Sequence, residues 1–305
     1  MKMFGVMELD QGMHGAIGMG EYPDHADASA EQVSRSERGG GPRVGGDAGY
    51  RSGLGDMSPA DLSQSLNAPL FAREKLGLPP DPIQRKILKL AANRVLLNCT
   101  RQWGKSTIAA VKAVHRAYFE PGSLTVVLSP SARQSGEFLR KAAGMARRLG
   151  VRPRGDGDNE ISLLFPNESR IVGLPGTECT VRGFSAVSLM LIDEAARVPE
   201  ELYNAVTPML AIGNGDLWLM STPFGRRGFF WEAWAHGGTR WERVSVPATE
   251  CPRISREFLE EERARMGERW FKQEYLCDFV DVNDGVFDRE LVEAALSKTL
   301  KPLVI

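Results

Sequence analysis

The chain has 305 residues, 42% of them hydrophobic, enough to fill the core of one large α/β domain or two modest ones. With 38 Lys and Arg against 39 Asp and Glu the formal net charge is −1, so overall charge points to no nucleic-acid partner and any such contact must come from a local basic patch. Four cysteines (Cys99, Cys179, Cys251, Cys277) without CxxC spacing argue against a zinc site or a disulfide framework. Apolar runs such as Val187 to Ile192 have strand length, well short of the roughly 20 residues of a membrane span. No charged-then-apolar leader opens the sequence, so the expectation is a cytoplasmic protein without a membrane partner.

Residues 1–57 hold 13 of the 32 glycines and few branched apolar side chains, so they are predicted to form a disordered tail. Ser58-Pro59-Ala60-Asp61 then carries helix-start chemistry, a capping residue followed by proline in the first turn. From Pro82 onward short apolar runs alternate with longer helical patterns, which predicts a mostly parallel sheet between helices. Strands are predicted at Arg94 to Asn98, Leu124 to Leu128, Ser188 to Ile192 and Asp216 to Met220. Helices are predicted at Ile83 to Ala92, Thr107 to Phe119, Ala132 to Leu149, Glu200 to Leu210 and Arg256 to Leu276. Two runs flanking Pro166-Asn167-Glu168, Ile161 to Phe165 and Ser169 to Gly173, read as a hairpin decorating that core.

The most informative segment is Val95-Leu96-Leu97-Asn98-Cys99-Thr100-Arg101-Gln102-Trp103-Gly104-Lys105-Ser106-Thr107. An apolar strand runs through a short loop ending in Gly-Lys-Ser-Thr into a helix, which is the order a phosphate-binding loop needs. The glycine lets backbone amides approach phosphate, the lysine reaches the β- and γ-phosphates, and the hydroxyl ligates Mg²⁺. Cys99 stands where the usual pattern has its first glycine, so Gly-Lys-Ser alone is a weak signal. Downstream, Leu189-Met190-Leu191-Ile192-Asp193-Glu194 is an apolar strand ending in two carboxylates, one suited to holding Mg²⁺ and the next to orienting water. Leu217 to Met220 leads into Ser221-Thr222-Pro223, whose hydroxyls would lie at the same sheet edge; a plain strand-to-loop turn is the alternative. Gln84 has a two-sided amide suited to adenine, or is simply a solvated helix glutamine.

Together these elements resemble the large terminase family of phages and prophages, from about Pro82 to Phe287. In that family the loop typically reads like Thr100 to Thr107, which accounts for the missing first glycine. Val181-Arg182-Gly183-Phe184-Ser185 and Phe271-Lys272-Gln273-Glu274-Tyr275-Leu276-Cys277-Asp278-Phe279 are also similar to terminase segments. The resemblance implies a RecA-like P-loop ATPase motor domain over 58–282 with a small helical lid region. It implies ATP and Mg²⁺, and hydrolysis that drives viral double-stranded DNA into a procapsid. The implied partners are that DNA, a portal protein, a small terminase subunit and further copies in a homo-oligomeric ring.

Carried over residue by residue, Lys105 would bind the β- and γ-phosphates, Ser106 and Asp193 would hold Mg²⁺, and Glu194 would activate water. Arg101 would touch the γ-phosphate, while Thr100, Gln102, Trp103, Gly104 and Thr107 would complete the ATP-binding loop and Gln84 would read adenine. Ser221, Thr222 and Pro223 look like the family's coupling motif. Arg182 resembles an arginine that some terminases insert into a neighbour's ATP site; a surface salt bridge explains it equally well. Trp103 either packs beside the loop or covers the core. Arg226-Arg227 and Arg140-Lys141 suit DNA phosphates, or are solvated helix faces. Large terminases carry a nuclease domain after the motor, so residues 283–305 read as a linker towards a domain absent from this sequence, and no nuclease activity is expected of it. Two rival readings remain: a helicase fragment, since Pro-Ile-Gln, Gly-Lys-Ser and Asp-Glu-Ala share that order, and a non-catalytic prophage remnant. The first would need a second RecA-like domain of at least roughly 100 residues after Pro223, for which the sequence has no room.

Overall fold

Short apolar runs bounded by polar turns become the strands of one sheet, and the amphipathic stretches between them cover both of its faces. A computed structural model of the chain describes residues 58–159, 161–176 and 183–280. The predicted tail over 1–57, Arg182 and the predicted linker over 283–305 lie outside them. The described chain opens on three short helices, α1 (Pro59–Ser65), α2 (Ala68–Glu74) and α3 (Pro82–Leu88). Each has proline in its first turn and a capping side chain, Ser58, Asn67 or Asp81, accepting from the amide three residues on. There follow β1 (Arg94–Cys99), α4 (Lys105–Phe119), β2 (Leu124–Ser129), α5 (Ala132–Arg148), β3 (Ser162–Leu164) and β4 (Arg170–Pro175). Then come β5 (Leu189–Asp193), α6 (Glu200–Val206), β6 (Asp216–Ser221), α7 (Gly228–His236), β7 (Glu242–Val246), α8 (Arg256–Met266) and α9 (Glu268–Tyr275).

The strand order is β3-β4-β2-β5-β6-β1-β7, parallel throughout except where β3 runs against β4. Alternate side chains of the central strands feed two separate cores, as expected of a sheet buried on both faces. Val95, Leu97, Leu189, Leu191, Trp218 and Met220 pack with α4 and α5 on one side. On the other, Leu96, Met190, Ile192, Leu217 and Leu219 pack with Phe229 and Phe230 of α7. A small third cluster, Leu259, Phe271 and Tyr275 with Ala248, joins α8 to α9. No helix among the described residues is long and apolar enough to cross a membrane.

Several expectations need correction. The hairpin belongs to the sheet: β4 pairs with β2 over six residues, and its Ile171 and Val172 are fully buried. The helix expected over Ile83 to Ala92 begins at Pro82 and stops at Leu88, because the carbonyl of Asn93 is already engaged by the Leu217 amide and the chain must extend to reach it. Beyond Val206 the helix expected to reach Leu210 tightens to 3₁₀ geometry over Thr207–Leu210, where Pro208 supplies no amide donor. The helix expected over Arg256 to Leu276 is broken at Gly267, whose φ of 80° and ψ of 161° are open essentially only to glycine.

Candidate active site

In a parallel sheet the strand C-termini share one edge, and here that edge gathers the residues singled out by the sequence. Asn98 of β1 is level with Ser221 of β6, and Asp193 of β5 is level with Met220. The loop from Thr100 to Gly104 curls over this edge and delivers α4, whose amino end faces into the loop. Gly104 has φ of 104°, a left-handed geometry that starts the helix without a side-chain cap. Gln102 also has positive φ, at 63°, and turns its side chain outward.

Lys105 is buried, and its Nζ donates to the carbonyls of Cys99 at 2.9 Å and Thr100 at 3.3 Å, so the ammonium lies inside the curl of the loop. Ser106 Oγ donates to Asp193 Oδ2 at 2.8 Å. That contact unites the two halves of the predicted site across 87 residues of sequence. Burial, reinforced by the neighbouring Glu194 charge, pushes the Asp193 carboxyl above the ordinary carboxylate range despite the Ser106 hydrogen bond. The Lys105 ammonium nearby answers only part of that penalty. A hydroxyl and one carboxylate form a hard oxygen pair of the kind Mg²⁺ uses when substrate phosphates and water supply the rest of its shell, so the residues fit that ion.

Glu194 has φ of 51°, uncommon for a residue with a side chain, which turns it away from the strand axis at the sheet edge. Its Oε2 accepts from Arg197 Nη1 at 3.1 Å and, more distantly, from Ser221 Oγ at 3.5 Å. Thr222 is fully buried, and its Oγ1 accepts from Arg197 Nη1 at 3.2 Å; Pro223 is buried beside it. Ser221 therefore reaches the acid directly, while Thr222 shares Arg197 Nη1 with it and also reaches Glu274 of α9.

Gln84 is buried rather than solvated. Its Oε1 closes the α3 capping box on the Asp81 amide at 3.1 Å, and its Nε2 donates to the Trp103 carbonyl at 3.4 Å. The Trp103 ring is fully buried in the core, so this residue offers the loop only its backbone. Thr100 is also fully buried, its Oγ1 donating to the Glu274 carbonyl at 3.1 Å. Thr107 lies in the first turn of α4, its amide bonded to the Gly104 carbonyl at 3.0 Å. Arg101 reaches out of the loop to Glu274. Arg182 lies outside the described residues. Of the basic pairs, Arg140 bridges to Glu137 at 2.9 Å and Arg226 Nε donates to the Phe279 carbonyl at 3.1 Å.

Sequence reasoning missed three residues here. Arg197 stands one helical turn beyond Glu194 and stacks over Phe224, its guanidinium 5.0 Å from the ring centroid. Arg253 donates to the Trp103 carbonyl and lies 3.7 Å from Asp81. Glu274 lies within a terminase-like stretch that carried no assigned role. The spacing of Arg197 from Glu194 was a usable local signal; the other two depend on contacts between distant parts of the chain.

Residues 96–294 match the family described as "Terminase large subunit, T4likevirus-type, N-terminal". The chain is 27% identical over 250 residues to the terminase large subunit of Thermus phage G20c, an overlap covering 70% of this chain and 51% of that protein. It thus spans about half the length of the curated relatives it matches. The large terminase ATPase domain of Thermus phage P74-26 shares the fold at a TM-score of 0.62 and 23% identity, over 68% of this chain and 97% of that one. The large terminase of a thermophilic bacteriophage, solved in complex with ATP-gamma-S, gives 0.52 at 14% identity, over 71% of this chain and 52% of that one.

Proposed function

Because the chain belongs to the terminase large-subunit family, we propose that it is the ATP-hydrolysing motor that drives viral double-stranded DNA into a procapsid. The observation that carries this reading is the Ser106 to Asp193 hydrogen bond, which brings the loop hydroxyl and the strand-end acid to one point beside Lys105 and Glu194. In this reading Lys105 leaves the loop carbonyls for the β- and γ-phosphates, and the amides at the start of α4 cradle them. Ser106 and Asp193 hold Mg²⁺, which neutralises phosphate charge when bound. Glu194 accepts a proton from the attacking water, oriented meanwhile by Arg197 and Ser221. Arg101 answers the charge on the γ-phosphate. Arg182 acts on the ATP of a neighbouring copy, a role that can contribute about 10³ to 10⁵ in rate. Gln84 lies behind the loop on the adenine side. Double-stranded DNA, a portal protein, a small terminase subunit and a homo-oligomeric ring in the host cytoplasm complete the proposal.

The test is phosphate release with Mg²⁺, with and without linear duplex DNA, alongside equilibrium nucleotide binding. Glu194→Gln should lower hydrolysis by about 10² to 10⁴ while leaving nucleotide affinity nearly unchanged, and Lys105→Ala should weaken both. Hydrolysis at the wild-type rate in Glu194→Gln would remove that residue's role. A wild-type chain that binds ATP without turning it over would refute the motor reading.

A further inference from the structure

Three donors from three separate turns converge on one buried carboxylate to which none of the roles above is assigned. Glu274, in the last turn of α9 and 5% exposed, accepts from Arg101 Nε at 2.6 Å, Arg197 Nη2 at 2.8 Å and Thr222 Oγ1 at 3.2 Å. The other nitrogen of Arg197 continues to Glu194. A chain of charged groups thus runs from the phosphate loop to the water-activating acid, with Glu274 at its centre. Of the two guanidinium groups on Glu274, Arg101 is the exposed one, its side chain 58% accessible against 25% for Arg197. Arg101 also sits on a loop two residues from the core-anchored Trp103, so of the two it is the one free to change partners.

We propose that Glu274 is a positioning residue that competes with the γ-phosphate for Arg101. A nucleoside triphosphate then takes Arg101 from Glu274, and a diphosphate leaves it there. This rests on the ATP-site reading above. Carboxylate and phosphate oxygens are both good acceptors for the guanidinium fork, so the exchange trades one charge-assisted hydrogen bond for another and is finely balanced. The consequence is that Glu274, touching neither nucleotide, tempers the preference for ATP over ADP that Arg101 confers. Loss of Arg101 also weakens the grip of α9 on the sheet edge. Bonds independent of Arg101 remain there, among them Asn98 Nδ2 to the Cys277 carbonyl at 2.8 Å, Thr100 Oγ1 to the Glu274 carbonyl at 3.1 Å, and the Gly225 amide to Gln273 Oε1 at 3.3 Å. The helix stays docked while its side-chain contact with the phosphate loop opens.

The experiment is equilibrium binding of ATPγS and of ADP at fixed Mg²⁺ to wild type, Glu274→Gln, Arg101→Ala and the double variant. Glu274→Gln keeps the side-chain shape and loses the charge. It is expected to raise the ratio of the ADP Kd to the ATPγS Kd by about tenfold, the order of one charge-assisted hydrogen bond. Arg101→Ala should lower that ratio, and the double variant should match Arg101→Ala, since Glu274 then has nothing to withhold. A merely structural role would weaken both nucleotides together; a wild-type ratio in Glu274→Gln overturns the proposal. Should that variant not fold, Glu274→Asp keeps the charge and withdraws it by one methylene. A smaller rise in the ratio is then expected, and no rise is equally fatal. The readout needs no turnover, so a chain that binds both nucleotides and hydrolyses neither loses the ATPase reading while the ratio still judges Glu274. Failure to bind either nucleotide overturns both.

Discussion

Asp193 carries a proton affinity that its neighbours impose. Its carboxyl is held above the ordinary range by burial first and by the Glu194 charge second. A raised value means that the folded chain binds this proton more tightly than the unfolded one. The contribution to stability is therefore fully present below the ordinary carboxylate range and is lost as pH rises through the elevated value. At neutral pH the ionised group opposes folding unless a cation answers it. Asp193→Asn should thus raise the melting temperature at pH 7 in the absence of Mg²⁺, by about 2–4 °C for each kcal/mol relieved. The same variant should lose the Mg²⁺-dependent tightening of nucleotide binding. Thermal denaturation with and without Mg²⁺ checks both, and a fall in melting temperature without the metal would show that the Ser106 hydrogen bond outweighs the charge. Glu194 also stores strain, since a left-handed backbone at a residue with a side chain costs about 1–3 kcal/mol. Its amide donates to Asp193 Oδ1 at 3.1 Å and its carboxylate accepts from Arg197, and these two bonds together hold the unfavourable geometry in place.

Among the elements, the break between α8 and α9 is set by Gly267 alone. A Cβ added there meets nothing within 4 Å, so the cost of Gly267→Ala lies wholly in the backbone, about 1–3 kcal/mol for a conformation that other residues avoid. Amide exchange should quicken over residues 268–277 and much less in the central strands; uniform loss of protection would show that the two helices do not move as a separate unit. This break also marks the limit of what periodicity reveals, for the apolar spacing of Arg256 to Leu276 is helical throughout and only the glycine's φ interrupts it. The strand-loop-helix unit around Gly104 was legible because strand, Gly-Lys-Ser-Thr and helix lie in one contiguous segment, and the strand ending at Asp193 because a charged pair closes an apolar run. Glu274 was not, since it meets Arg101 across 173 residues and no local pattern encodes such a contact. β7 escaped notice for another reason: only its Val244 and Val246 are buried, and as an edge strand it carries a short, half-polar pattern.

At the scale of the whole molecule, the strand order separates what the chain makes early from what it can use early. β2, β4 and β5 neighbour one another in space and lie close in sequence, so that half of the sheet can assemble from local segments. β1 is different: Arg94 is paired with Leu217 and Val95 with Glu242, both far downstream. During synthesis, then, the strand that carries the phosphate loop leaves the ribosome first and waits longest, its Val95, Leu96 and Leu97 all destined for full burial. Contacts of such long sequence separation form late, and an apolar strand without neighbours invites association with other chains in the interval. A ribosome-bound chain with residue 210 at the tunnel exit exposes Lys105, Ser106, Asp193 and Glu194 and should still not cross-link to a photoreactive ATP analogue. Labelling should begin only once residue 246 has cleared the exit tunnel, and labelling of the shorter chain would mean that β1 finds its place without β6 and β7. In the ATP-site reading, nucleotide binding waits on the end of synthesis: a chain interrupted before its seventh strand keeps Lys105, Ser106, Asp193 and Glu194 and has no use of them.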